Sequence, residues 1–377
     1  MDDVCSRGKT GSEWLSSKAT RLTQLGRGRL RTTLCIGLRE PPRRSILQHG
    51  RVQGTRVLTH QRESITVNPN PMDLQSTWTA EYEGSLYLRE LHSNLLVERY
   101  GNLIQNLWST DCEGKVQKAR DPDRARKVLR LLFHIILEQT RRGIAPADGV
   151  FDERAMINEA TAAYVPPLLK SPVVGAPDGF AKFGKRCHIR ASFERGIFQI
   201  APASGYNDPS LNGAQADKEL EHFTVTPNEH LLFKLNGIDA KGNEVEVETR
   251  PMQLFRYMNV PDFYVWCCGY GCDLRMLHDF KYDALLLVKD VPAFTKRMLE
   301  AVDKAQSGSA GIHGPVAYYD PYTVHRSQLK PIFSKNLKYL YQNEYRLAWN
   351  MPTGTMLAPF LVELGPLNDI AQFYETA

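Results

Sequence analysis

The chain has 377 residues, a net charge of +5 and seven cysteines. That length supports a sizeable core and two or three domains, and no apolar run nears the roughly 20 residues that span a bilayer. The odd number and irregular spacing of Cys5, Cys35, Cys112, Cys187, Cys267, Cys268 and Cys272 favour reduced thiols over a disulfide framework, and with no signal-peptide core a cytoplasmic protein without membrane contact is expected.

Residues 1–71 hold thirteen Lys/Arg and five Asp/Glu, a balance of +8, which leaves the rest of the chain at −3. The basic pI therefore gives no evidence for a nucleic-acid-binding body. Trp14 is the only aromatic residue of this stretch, and no hydrophobic period persists along it. Such a segment cannot bury enough apolar surface to offset its ordering entropy. It is expected to be a disordered tail, or an extension upstream of a true start at Met72. Nucleic acid would be met only through this tail.

Residues 72–178 read as a helical accessory domain. "SLYLRELHSNLLVERYGNLIQNLW" repeats its leucines at three- and four-residue spacing. "RDPDRARKVLRLLFHIILEQTRRG" adds clear end signals: Asp121 as cap, Pro122 in the first turn, Arg141 and Arg142 at the C-terminal end, then Gly143. "DERAMINEATAAYVPP" is a third helix stopped by Pro166, and Pro166–Gly179 is a linker.

Residues 179–377 change to short β-rich runs: "CHIRA", "GIFQIA", "HFTVT", "EVEVETR", "FYVWCC", "ALLLV", "PVAYY", "EYRLAW" and "PFLVEL". Helices are expected after Pro209, after Pro292 and in "SKNLKYLYQ". Because long helices do not alternate with the strands, the fold class is α+β with a mixed, mostly antiparallel sheet, not a doubly wound parallel one.

P-loop, dinucleotide-binding glycine, zincin and nucleophile-elbow motifs are absent. Cys267, Cys268 and Cys272 with His278 lack zinc-site spacing, and no metal is expected. Three places put polar groups on or beside strands. His188 and Arg190, two apart, would share a strand face and could meet a pyrophosphate or carboxylate. "FYVWCCGYGCDLRMLHDFKYD" ends a strand in glycines and carries Asp273, Asp279 and Asp283. Gln342, Glu344 and Arg346 would share a face if their strand begins at Gln342. Arg346 then either serves a ligand or neutralises Glu344 in a structural ion pair. Between the first two lies "SGYNDPSLN", where Asp208 and Pro209 would start a short helix, and Tyr206 and Asn207 stand at the turn.

"HIRAS", "GIFQIAPASGYNDPSLN", "FYVWCCG…DLRMLHDFKYDA" and "IFSKNLKYLYQNEYRLAW" resemble a widespread bacterial domain family of unknown function, over about residues 180–365. A more distant likeness is to the ADP-ribosyltransferase fold, in the order His188/Arg190, Cys267–Gly269, Gln342/Glu344. Cys267-Cys268-Gly269 stands where that fold has Ser-Thr-Ser. The likeness implies NAD as co-substrate, with Arg190 or His188 holding its pyrophosphate or nicotinamide ribose and Tyr206, Asn207 and Cys268 lining its pocket. Glu344 would stabilise the oxocarbenium-like transition state, and Gln342 would orient a macromolecular acceptor. The expected function is thus an ADP-ribosyltransferase-like effector that cleaves NAD. The alternatives are a non-catalytic nucleotide- or protein-binding module and, third, a nuclease built on the aspartates.

Overall fold

The computed structural model describes residues 33–38, 71–144, 151–174, 179–226, 231–238, 242–247, 254–352 and 354–377. In chain order these form β1 (Thr33–Leu38), α1 (Pro71–Glu83), α2 (Ser93–Ile104), β2 (Trp108–Thr110), β3 (Val116–Lys118), α3 (Pro122–Arg141) and α4 (Glu153–Thr161). Next come β4 (Phe180–Gly184), α5 (Arg186–Arg195), β5 (Ile197–Pro202), a 3-10 turn at Ala203–Asn207, β6 (Glu221–Thr226), β7 (Leu231–Ile238), β8 (Glu244–Val247) and β9 (Leu254–Asn259). The chain closes with β10 (Tyr264–Tyr270), α6 (Arg275–Phe280), β11 (Ala284–Val288), α7 (Val291–Ala305), β12 (Ala310–Pro315), β13 (Ala317–Tyr319), β14 (Ser334–Asn336), a 3-10 turn at Leu337–Gln342, β15 (Glu344–Asn350), β16 (Phe360–Glu363) and β17 (Ala371–Glu375).

The architecture is α+β. An eight-stranded sheet runs β12-β15-β10-β4-β11-β17, and β5 joins β10 and carries β16 on its other side. Every pairing in it is antiparallel. Strand β10 has two neighbours on one edge: its start pairs with β5 and its end with β4. The sheet therefore splits there, and α5 runs from one branch to the other.

Both faces of the sheet are covered. Phe294, Met298 and Val302 recur every four residues on α7, all fully buried, against Trp266, Leu286 and Trp349. Asp290 caps that helix by accepting from the amide of Ala293, a bond worth about 1 kcal/mol. On the other face Leu285 and Leu287 pack on Met276 and Leu277 of α6. Helices α1–α4 share a third core around Leu88, Leu131 and Ile135, which includes Leu337 and Leu340 from the second 3-10 turn. Helices and eight-stranded sheet lie in one compact unit. Separately, β1, β7 and β8 form a three-stranded sheet in that order.

Helix α3 follows its end signals. Asp121 accepts from the amides of Asp123 and Arg124, and Val128, Leu132 and Ile135 form its buried stripe. His134 is buried beside them and meets the hydroxyl of Tyr87 at 3.1 Å. The other long pattern starts later than its leucines suggest: α2 begins at Ser93 behind His92, and Leu88 and Leu91 are buried in the turn before it.

Two local expectations are corrected. "CHIRA" is not a strand: it lies within α5, where Ile189 and Ser192 turn inward at helical spacing. Gly196, at φ 69°, ends that helix in the left-handed conformation and takes the amide–carbonyl bond back to Ser192. No helix follows Pro209. Asp208 accepts from the amide of Ser210 at 2.8 Å and closes a turn instead. Strands β4 and β17 and helix α1 were not anticipated. The expectations for the tail 1–71 lie outside the described residues, apart from β1, a strand in a stretch without hydrophobic period.

Candidate active site

The loop between β5 and β6 carries "SGYNDPSLNGAQADKE" and folds back on itself. The amide of Asp217 donates to the carbonyl of Tyr206 at 3.1 Å. Side chains from the Leu337–Gln342 turn hold the loop down. Tyr339 donates its hydroxyl to the carbonyl of Ala216 at 2.7 Å, and Gln342 donates its amide to the carbonyl of Ala214 at 2.8 Å. These bonds bring Asp217 and Glu219 over the end of β15.

There they meet a buried ionic cluster. Glu344 and Arg346 share a face of β15 and bond directly, Nε to Oε1 at 2.6 Å. Lys335 on β14 donates to the other oxygen of Glu344 at 2.8 Å. Arg346 reaches Glu219 at 2.6 Å and donates to the carbonyl of Ile332 at 2.7 Å. The Lys335 ammonium also lies 3.3 Å from Glu219 and 3.5 Å from Asp217. All but Asp217 are buried, Arg346 to 1% exposure.

The charges do not cancel. Three carboxylates face two cations, so one negative charge is in excess. Burial alone would raise Glu344, but Arg346 and Lys335 override it and hold this carboxylate far below the usual range. Burial would likewise strip Lys335 and Arg346 of their protons, and the surrounding carboxylates hold both firmly charged. The excess falls on Asp217. Burial, with Glu219 beside it and despite Lys335, pushes its carboxyl up to about 6. Its titration therefore moves toward neutral pH.

Two cavities meet at this cluster. A cleft of about 1130 Å3 is lined by Asp217, Glu219, Lys335, Tyr206, Asn207 and Tyr257, among others, with Arg99 of α2 on its far wall. A chamber of about 150 Å3 lies behind it, against Glu344, Gln342, Cys267, Lys182 and Phe280. Tyr206, Leu211, Glu219 and Lys335 line both. The chamber follows from the split in the sheet. Lys182 of β4 reaches into the divergence and donates to the carbonyl of Cys267 at 2.6 Å, its ammonium 5.2 Å from the centre of the Trp266 ring. Gly269, opposite Glu344 in the β10–β15 ladder, leaves further room. Burial and nearby Glu344 push the Cys267 thiol up to about 12, so it is no thiolate nucleophile. The Cys267 thiol and burial likewise raise the phenol of Tyr206 well above its ordinary value.

The structure gathers some expected residues and scatters others. Glu344, Gln342, Tyr206 and Cys268 line the chamber, and Asn207 lines the cleft. Cys268 does so from the main core, where its thiol donates to the carbonyl of Tyr345. Gln342 is not on the Glu344 strand face. It ends a 3-10 turn, and Asn343 at φ 43° intervenes before β15 begins. His188 and Arg190 line neither cavity. Being on α5, Arg190 bonds Glu375 at 2.9 Å at the surface.

The aspartates after β10 are separately engaged. Asp273 accepts from the amide and hydroxyl of Thr110, Asp279 pairs with Arg275, and Asp283 accepts from the amide of Arg186. Among the described residues no three His, Cys, Asp or Glu side chains gather as a metal site would require. Asp217, Glu219, Lys335 and Lys182 were missed as site residues. The acids of "ADKE" were the available signal, but they were read only as lying in or near a short helix after Pro209.

Comparison with protein-family models, curated proteins and solved structures finds no match. Among the described residues no helix is long and apolar enough to cross a membrane.

Proposed function

We propose that this protein is a cytoplasmic enzyme acting on the N-glycosidic bond of a nucleotide, in the manner of an NAD-cleaving ADP-ribosyltransferase. The observation that carries this is the excess negative charge at the junction of the two cavities. A chamber of about 150 Å3 holds one six-membered ring, and the sugar of that ring then stands at the junction, beside Asp217, Glu219 and Lys335. As the bond breaks, its electron pair leaves with the ring, and positive charge develops on the sugar. The net-negative cluster stabilises that charge. Asp217, ionised above about pH 6, takes the proton from the attacking hydroxyl of water or of a macromolecular acceptor as the new C–O bond forms.

In this reading Glu344 does not touch the sugar. It positions Lys335 and Arg346, and through them supplies the charge. Arg190 and His188 have no part in the reaction. Tyr206 closes the junction between ring and sugar, and Asn207 contacts the remainder of the nucleotide in the cleft. Gln342 and Cys268 form the chamber wall. The test is release of free base, measured by chromatography, from NAD and from nucleoside monophosphates. Wild type should release base from at least one of them, and Asp217→Asn should not, although the variant folds at least as stably.

One observation favours a second reading, a non-catalytic nucleotide- or protein-binding module. Both oxygens of Glu344 are already bonded, as in a structural ion pair. That module would bind nucleotide without base release, and Asp217→Asn would change affinity alone.

A further inference from the structure

The β2–β3 hairpin is fastened to the far end of β10 by bonds that the candidate site does not use. Asp273, just past β10, accepts from the amide and the hydroxyl of Thr110 at 2.9 and 2.7 Å. That hydroxyl accepts in turn from the amide of Arg275 at 2.9 Å. Arg120, just past β3, donates to the carbonyls of Thr110 and Cys272 at 3.0 and 2.8 Å.

These bonds bring two thiols together. Cys112 lies two residues beyond Thr110 in the hairpin loop, and Cys272 directly precedes Asp273. Cys112 packs against the core that contains Cys272, and the two side chains hydrogen-bond to each other. Both are free thiols. A disulfide needs two side chains that face one another, and the mutual bond shows that these do. Cys267 and Cys268 offer no such pair, because neighbours on a strand point to opposite faces.

The two thiols differ in access. Cys112 is partly exposed, whereas Cys272 is fully buried. An oxidant in solution therefore meets Cys112 first. Burial, with the Cys112 thiol beside it, pushes the Cys272 thiol up, so Cys272 keeps its proton until it has a sulfur to attack. One accessible thiol backed by a sheltered one is the arrangement of an attacking and a resolving cysteine.

From this geometry we infer that Cys112 and Cys272 form a reversible disulfide on exposure to hydrogen peroxide, and that the bond clamps the hairpin to the sheet. The Cys112 sulfur attacks the O–O bond and becomes a sulfenic acid, and the departing oxygen takes the thiol proton and leaves as water. The Cys272 sulfur then attacks the sulfenic sulfur. The S–O bond breaks, the S–S bond forms, and the departing hydroxide takes the Cys272 proton. Two thiols thus lose two electrons, and the peroxide becomes two waters. A thiol reductant reverses the bond, as for the transient disulfides of reducing compartments. Neither thiol lines the cleft or the chamber, so the pair acts whether or not the protein turns over a nucleotide.

The test treats the full chain with a small excess of hydrogen peroxide, blocks the remaining thiols with iodoacetamide and maps the peptides without reduction. Wild type should give a linked Cys112–Cys272 peptide that dithiothreitol removes. A bridge that closes a long stretch of chain should also raise the melting temperature of the oxidised protein by about 5 °C or more over the reduced one. Cys112→Ser, at the partly exposed position, should show neither the link nor the rise. Alkylation of both Cys112 and Cys272 after a treatment that oxidises the exposed Cys187 overturns the pairing. An equal rise in Cys112→Ser does the same. A linked peptide with an unchanged melting temperature overturns the clamp.

Discussion

Glu344 and Arg346 stand two residues apart on β15 and bond each other, Nε to Oε1 at 2.6 Å, inside a cluster that keeps one carboxylate too many. The pair is fully charged, and its neighbour Asp217 bears the cost of that.

Asp217 should destabilise the fold as pH rises. Its carboxyl moves from an ordinary 3.8 to about 6 in the folded protein. The folded state therefore holds this proton more tightly than the unfolded chain. Between pH 4 and pH 6 that advantage is lost, a change on the order of 3 kcal/mol at 1.36 kcal/mol per pH unit. Asp217→Asn removes the dependence. Urea unfolding of both proteins at pH 4, 5, 6 and 7 should show the variant gaining on wild type up to about pH 6 and no further. A constant difference across the series contradicts the assignment.

Glu344→Gln should do two opposed things. It leaves Lys335 and Arg346 buried without their closest carboxylate, which costs about 3–5 kcal/mol when one partner of a buried pair is removed. It also brings the cluster to two carboxylates against two cations, so Asp217, still raised by burial, should titrate somewhat lower than in wild type. Carbon-detected NMR of the aspartate carboxyls reads the second effect, and a melt reads the first. An unmoved Asp217 would show that Glu344 does not contribute to the excess charge.

Arg190→Ala should be nearly silent. Its guanidinium is half exposed and bonds Glu375, an ion pair worth about 0–1 kcal/mol. Base release and nucleotide affinity should match wild type. A large loss in either would return α5 to the site.

Two glycines should respond oppositely to alanine. A Cβ at Gly196, already at φ 69°, would sit 2.0 Å from the carbonyl oxygen of Gly365, in backbone that cannot step aside. Gly196→Ala should cost about 3 kcal/mol or more. At Gly269 a Cβ meets nothing nearer than 3.6 Å. Gly269→Ala should fold normally, with any effect confined to what fits the chamber. Thermal melts of the two variants decide this.

The sequence was most legible where local signals agree. Asp121, Pro122 and a three-four leucine spacing together specify α3, and the all-apolar "ALLLV" specifies a central strand covered on both faces. It misled where a short motif admits two periods. "CHIRASFER" alternates over its first residues, yet it buries Ile189 and Ser192, three apart, and ends at a left-handed glycine. That one error placed His188 and Arg190 in the site, and helix α5 takes them out of it. The Gln342–Arg346 stretch was half legible. Glu344 and Arg346 do share a face and do pair, but whether the pair is isolated or part of a cluster depends on residues from two distant segments. Asp217 and Glu219 arrive on a loop held by Tyr339 and Gln342, and Lys335 arrives on β14. Spacing along one strand carries no information about such partners.

The account rests on Asp217 as the proton acceptor at a net-negative junction. The most direct measurement is the rate of free-base release from NAD between pH 5 and pH 8, for wild type and for Asp217→Asn. The account predicts a wild-type rate that rises through about pH 6 and then levels, and a loss of about 100-fold or more in the variant at pH 7.5 with its fold intact. No base release by wild type, or equal rates in the two proteins, contradicts it.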